Sequence, residues 1–309
     1  ARYAPEKMEL ATRDIVARAI ATEIEEGRGI GEGLTAGVYL DFTKIPAERI
    51  HERLGQVADL AHRFAGVDIT KAPVLISPTC HYSMGGLEMA DFRTGATRVP
   101  GIFTAGECSC VSVHGANRLG ANSLSEVLVF GKTAGEGAAA YAKQHNYEGN
   151  QQQLADGCTK WKDRFDKVTA RPHANNRTVP EIRDAMVDTM WFKAGVFRNG
   201  SQLEEAAKEL HALEEDYKNC FVGDSSHVYN TAFAQYVELG NMLQISHAIV
   251  QGAIARKESR GGHSRKDFPK RDDANFLKHT LIFKKPDGSY AAEYQDVVIT
   301  KYPPQERKY

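Results

Sequence analysis

Between Gly101 and Gly135 the sequence passes from an apolar run ending in Gly106-Glu107, through His114-Gly115-Ala116-Asn117-Arg118-Leu119-Gly120-Ala121, into a helical stretch opened by Asn122-Ser123-Leu124. That order restricts what the chain can build. A loop of Gly, Ala and Asn reaches backbone dihedrals closed to larger residues and lets main chain approach a ligand closely. The helix that follows turns its unpaired N–H groups and the positive end of its dipole back toward the loop. A single arginine, Arg118, stands inside it. The combination suits an anionic, planar ligand beside a carboxylate-bearing one; the alternative is a glycine-rich turn ahead of an ordinary helix.

The rest of the chain divides by periodicity. Leu10, Ile15, Val16, Ala19, Ile20 and Ile24 have the three-to-four spacing of a helix over Met8–Glu26, ended by the glycines from Gly27 to Gly33. Those glycines follow a helix rather than a strand, so they read as a loop and not as a dinucleotide fingerprint. A short strand is predicted at Val38–Phe42, an extended apolar run between prolines at Pro73–Pro78, a helix at Ala47–Ala65, a buried strand at Gly101–Glu107 and an Ala/Gly-rich helix at Ser123–Gln144, suited to close packing. From Gln151 to about Arg260 the composition becomes charged and helix-periodic, with segments near 151–169, 179–196, 200–219 and 229–258, which reads as an antiparallel helical bundle. Beyond Gly261, Thr280–Phe283 and Val297–Thr300 alternate like strands around the turn signal Pro286-Asp287-Gly288.

Composition removes several function classes. The 309 residues suffice for roughly two domains, and a net charge of −1 offers no global field for nucleic acid or an anionic membrane. No apolar run approaches the ~20 residues of a membrane span. Five cysteines are an odd, sparse set that suits a reducing compartment. Cys108 and Cys110 are expected to pack as small side chains on one face, and Cys-x-Cys-x3-His is not a usual zinc spacing, so no metal is expected. The start, Ala1-Arg2-Tyr3-Ala4-Pro5, has neither an initiator methionine nor a signal-peptide pattern, and the chain is expected to begin inside a larger protein.

Three residues carry chemistry suited to a dianion. The guanidinium forks of Arg118 and Arg13 match carboxylates, and the imidazole of His81 adds a donor adjustable near neutral pH. Each has a plainer alternative: a salt bridge of Arg13 with Asp14 or Glu9, a hydrogen-bonded His81 at a strand end, a loop-capping Arg118. Glu107, after a strand-like run, can accept from ribose hydroxyls or be a solvated turn residue. Ser123 and Leu124 open the helix with N–H groups facing a ligand, a role compatible with ordinary capping.

With Leu10-Ala11-Thr12-Arg13-Asp14, Pro78-Thr79-Cys80-His81-Tyr82-Ser83-Met84-Gly85-Gly86, Gly106-Glu107, the His114–Leu124 loop, the Arg256–Arg265 run and Arg271–His279 assembled, the chain resembles the carboxyl-terminal half of the flavoprotein subunit of succinate dehydrogenase and fumarate reductase, the respiratory complex II family. The resemblance extends over nearly the whole chain. It implies an α/β plus α fold: a capping-domain remnant (1–76), the second segment of a Rossmann-like FAD-binding domain (77–145), a helical bundle domain (146–262) and a small carboxyl-terminal α+β domain (263–309). It further implies that succinate and fumarate are interconverted by hydride transfer with FAD, with Arg13 moving the proton, His81 and Arg118 binding the dicarboxylate, and Glu107, Ser123 and Leu124 contacting FAD. Covalent attachment of the flavin would rest on a histidine outside this sequence. Implied partners are an iron-sulfur subunit and a membrane anchor with quinone, with no nucleic acid, at the cytoplasmic or matrix face of a respiratory membrane. Ser123-Leu124-Ser125-Glu126 and the tail near Asn275–Thr300 resemble the fumarate reductase branch more closely. L-aspartate oxidase shares single motifs, but Met84, Leu119-Gly120 and the long tail after Arg260 speak against it. A non-catalytic helical scaffold is the alternative of another class.

Overall fold

The structure is a computed structural model describing residues 2–145, 149–173 and 176–305, with the Glu9 side chain outside the described set. Half of the described residues are helical. The described residues of Ala1–His81 and Pro304–Tyr309 form one compact unit and Tyr82–Pro303 the other.

In the first unit, α1 (Arg13–Glu25) starts later than the apolar spacing predicts. Met8–Leu10 is a separate 3-10 turn, with Met8 at φ 44°. Thr12 is extended and its hydroxyl donates to Asp14 at 2.6 Å. A β-branched residue with a local hydrogen bond favours a helix boundary over a helix interior, so Arg13 becomes the first helical residue. The helix α2 (Ala47–Ala65) has the predicted bounds and closes on Gly66 at φ 67°, the left-handed conformation that ends helices. Val38–Leu40 (β1) and Val74–Ile76 (β2) pair antiparallel, Val38 opposite Ile76.

The second unit holds the helical core. Leu87–Glu88 (β3) runs parallel to Ser109–Cys110 (β4). The strand predicted at Gly101–Glu107 does not form. Gly101 and Gly106 take φ 83° and 76°, turning the chain at both ends of the run. Phe103 makes an isolated bridge to Ala96 and packs edge-on against Tyr141, with ring centroids 5.8 Å apart. Pairing passes to the next residues, leaving Cys108 exposed, contrary to the expectation of a packed thiol, and Cys110 half-buried.

The helix α3 (Asn122–His145) uses its small residues as predicted: a Cβ on Gly137 would lie 2.1 Å from the carbonyl oxygen of Thr94. Next come α4 (Gln151–Thr169), α5 (Val179–Ala194), α6 (Gly200–Asn219) and α7 (Thr231–Ala255). Their boundaries are written locally: Asn150, Thr178, Asn199 and Asn230 each accept a backbone N–H at a helix start, and Thr178 with Glu181 completes a capping box. Ile182, Leu203, Leu210, Leu239, Leu243 and Val250 form the centre of their shared core.

A short helix, α8 (Asp273–Phe276), leads into a hairpin of Lys278–Lys284 (β5) and Tyr290–Asp296 (β6). The turn falls where predicted, with Gly288 at φ 84°. The second strand does not reach Val297–Thr300. Register from the turn pairs Lys284 with Tyr290 and Lys278 with Asp296, so later residues have no partner on β5. Among the described residues, no helix is long and apolar enough to cross a membrane.

Candidate functional site

The first turn of α3 carries two buried polar side chains, Ser123 and Glu126, three residues apart and hence on one face. Arg118 donates from Nε to the Ser123 hydroxyl at 2.7 Å. Its guanidinium lies 5.1 Å from the ring centroid of Tyr82, a cation–π distance. The Nη groups of Arg118 form no hydrogen bond among the described residues. The arginine is held at its root and across its face.

Glu126 anchors the other side. One carboxylate oxygen, Oε2, accepts both the Tyr82 hydroxyl and His114 Nε2, each at 2.7 Å. His114 Nδ1 in turn accepts the Leu119 N–H at 3.2 Å, so the imidazole proton sits on Nε2 and points to Glu126. Tyr82 and His114 meet edge to face, with centroids 5.2 Å apart. Burial first, and the neighbouring Glu126 second, push the Tyr82 phenol up to about 12, so it stays protonated and donates. Sequence reasoning assigned no role to Tyr82 or Glu126. The Ser-x-x-Glu spacing is that of a capping box, but the helix already begins at Asn122, which releases the Glu126 carboxylate to Tyr82 and His114.

The loop is also braced by the segment that follows α7. Gly262 donates its N–H to the Ala116 carbonyl at 2.9 Å, and His279 Nε2 stands 2.9 Å from the Ser112 hydroxyl. Behind Gly262, the fully buried Glu258 pairs with Arg256 and Arg260 and accepts the Asp272 N–H at 2.8 Å. Arg260 reaches on to Asp273 at 2.6 Å.

Of the residues expected to face FAD, Glu107 and Leu124 are exposed and Ser123 is buried. Glu107 is exposed, with one carboxylate oxygen accepting the Ser83 N–H at 2.7 Å. Gly86 takes φ +123° and a Cβ there would lie 2.3 Å from the Cys108 carbonyl oxygen, so main chain packs on main chain beside Glu107. Leu124 is 74% exposed at the start of α3. An acceptor for ribose hydroxyls, tightly stacked backbone and an open helix start are features that suit FAD.

Arg13 and His81 belong to the first unit. Arg13 is exposed at the start of α1; of its two alternative partners, the Glu9 side chain lies outside the described residues. Asp14 is held instead by Thr12 and by Arg18 at 2.7 Å. His81 is exposed. The structure thus brings Arg118, Ser123 and Leu124 together at one helix start, with Glu107 bonded to the backbone next to Tyr82.

Residues 1–124 match the model of the FAD binding domain, and residues 183–309 that of the fumarate reductase flavoprotein C-term. The chain belongs to the fumarate reductase and succinate dehydrogenase flavoprotein family. It is 44% identical over 303 residues to the 8-methylmenaquinol:fumarate reductase flavoprotein subunit of Wolinella succinogenes, covering 98% of this chain and 49% of that protein. Against the succinate dehydrogenase flavoprotein subunit of Rickettsia conorii the identity is 39%, covering 100% and 53%. A solved E. coli quinol fumarate reductase superimposes with a TM-score of 0.87 at 38% identity, over 97% of this chain and 51% of that one. An adenosine-5-phosphosulfate reductase shares the fold at TM-score 0.67 and 16% identity. As a member of this flavoprotein family, the chain spans about half the length of the curated relatives it matches.

Proposed function

We propose that this chain forms the dicarboxylate-facing part of a flavoprotein that interconverts succinate and fumarate, with fumarate reduction the favoured direction. The observation that carries the reading is the geometry of Arg118: a guanidinium fixed by Ser123 and Tyr82, with its Nη edge unengaged among the described residues. A fork so held matches one carboxylate bidentately and, in a partly dry site, stabilises charge that develops on that carboxylate. His81 serves the second carboxylate. Arg13 moves the proton at the substrate carbon; a guanidinium is a poor base, yet it is a competent acid toward a carbanion. FAD supplies the hydride acceptor or donor when bound. Glu107 would hold its ribose, and the N–H groups of Ser123 and Leu124 its flavin end.

Residues 1–76 would serve as the capping portion, 77–145 as FAD-binding segment, 146–262 as the helical domain and 263–309 as the terminal domain. Partners of this flavoprotein are an iron-sulfur subunit and a quinone-bearing membrane anchor, which would give it peripheral attachment to a respiratory membrane. Similarity to the Wolinella succinogenes and E. coli fumarate reductase subunits supports the direction.

The test is R118A in the full-length flavoprotein. Malonate affinity should fall at least about tenfold and fumarate turnover should fall with it, the scale of a lost charge-assisted bidentate pair. Unchanged malonate binding would overturn the reading.

A further inference from the structure

Resting on that reading of Arg118, we infer that Glu126 is a positioning residue for the substrate-binding guanidinium, acting through the Tyr82 hydroxyl. Glu126 lies on α3 one turn beyond Ser123, and its side chain is only 2% exposed. A carboxylate this buried needs donors, and it has two converging on one oxygen, from Tyr82 and His114. The proton on His114 is directed to Glu126 because Leu119 N–H occupies Nδ1. Both donors reach the same carboxylate oxygen, Oε2, so the side chain is fixed from two directions.

The consequence reaches Arg118 through the aromatic ring. A phenol that donates to a carboxylate is polarised, with electron density moved onto the ring, and a cation over that ring face is held more firmly. Tyr82 also cannot rotate while its hydroxyl is tied to Glu126 and its edge rests on His114. Arg118 is thus set from two points on one helical turn: directly by Ser123 at Nε, and by Glu126 through Tyr82 beneath the guanidinium plane. Preorganisation of this kind lowers the ordering cost of substrate binding. Its effect belongs to dicarboxylate affinity, because Tyr82 and Glu126 act on the guanidinium rather than on the reacting carbon.

The experiment compares Y82F, E126Q, the double variant and R118A in the full-length flavoprotein, measuring malonate dissociation constants by titration calorimetry, KM and kcat for fumarate, flavin content and thermal midpoint. Y82F keeps the ring and removes the link; E126Q keeps the acceptor and removes the charge. Y82F should raise malonate Kd and fumarate KM together by about tenfold, with flavin content unchanged, the scale of one buried charge-assisted hydrogen bond. E126Q should raise both by a smaller factor, and the double variant should match Y82F alone, since the charge acts only through the hydroxyl. Y82F within twofold of wild type, or a double variant whose effect is the product of the single ones, overturns the inference. If E126Q does not fold, Y82F decides alone. R118A separates the two claims: a normal malonate Kd there removes the dicarboxylate reading itself, whereas weak binding in R118A with normal binding in Y82F removes only the role of Glu126.

Discussion

Gly262 donates its backbone N–H to the carbonyl of Ala116 at 2.9 Å, tying the loop that carries Arg118 to the segment that leaves the helical bundle. The neighbouring Gly261 makes the approach achievable. It takes φ +59°, and a Cβ there would lie 2.1 Å from the same Ala116 oxygen. G261A therefore combines backbone strain with a clash against main chain, and a loss of roughly 1–3 kcal/mol is expected from the strain alone. Thermal unfolding should fall accordingly, and malonate binding should weaken with it because the arginine loop is displaced. A wild-type midpoint would show that the loop and the Gly261 segment are not coupled.

Glu258 should be the most sensitive single charge behind the site. It has no exposed surface, bonds Arg256 and Arg260, and accepts the Asp272 N–H. E258Q removes the negative member of a buried cluster and leaves two guanidinium groups facing each other. Breaking a buried pair from one side costs roughly 3–5 kcal/mol. Denaturant unfolding followed by helical circular dichroism measures this, and a shift under about 1 kcal/mol would contradict the assignment.

Acid should loosen the same region through His263. Its Nε2–H donates to the Arg256 carbonyl at 3.0 Å and its Nδ1 accepts from Arg198 at 3.0 Å. Burial first, then the Arg198, Arg265 and Arg256 cations, hold the ring down to about 4. The unfolded chain titrates near 6.5, so between those values it binds the extra proton that the folded state refuses. Stability from this group is complete above about pH 6.5, falls as pH drops, and levels off below about 4, a total of up to roughly 3 kcal/mol. The thermal midpoint of wild type should decline more steeply over that window than that of H263Q; equal slopes would clear His263.

R13Q should separate proton transfer from binding. Arg13 is exposed and unpaired among the described residues, so its replacement leaves α1 and the unit around it intact. Fumarate turnover in the full-length flavoprotein should fall ~10²–10⁴-fold, the worth of positioned acid–base chemistry, with malonate affinity within a few-fold. Turnover above about a tenth of wild type would remove Arg13 from that role.

Much of the helical architecture was legible in advance because its determinants are local. Asn150, Thr178 and Asn199 are N-cap residues, and α4 and α6 begin and end where composition placed them. The failures were also physical. The Gly101–Glu107 run is apolar enough for a strand, but two glycines with positive φ and the Phe103–Tyr141 contact gave it another use. Val297–Thr300 alternates like a strand, yet register in the hairpin had already exhausted its partner.

The site divides along the same line. Motif spacing alone placed Arg118 in a small-residue loop ahead of a helix start at Asn122-Ser123-Leu124, since loop permissiveness and the helix dipole follow from neighbouring residues. The burial of Glu126, its joint hold on Tyr82 and His114, and the brace from Gly262 to Ala116 were decided by tertiary structure. Those contacts join segments distant in the chain, and no local pattern encodes which buried carboxylate meets which donor. A Ser-x-x-Glu spacing by itself describes a helix cap; only packing against Tyr82 and His114 makes it the support beneath an arginine.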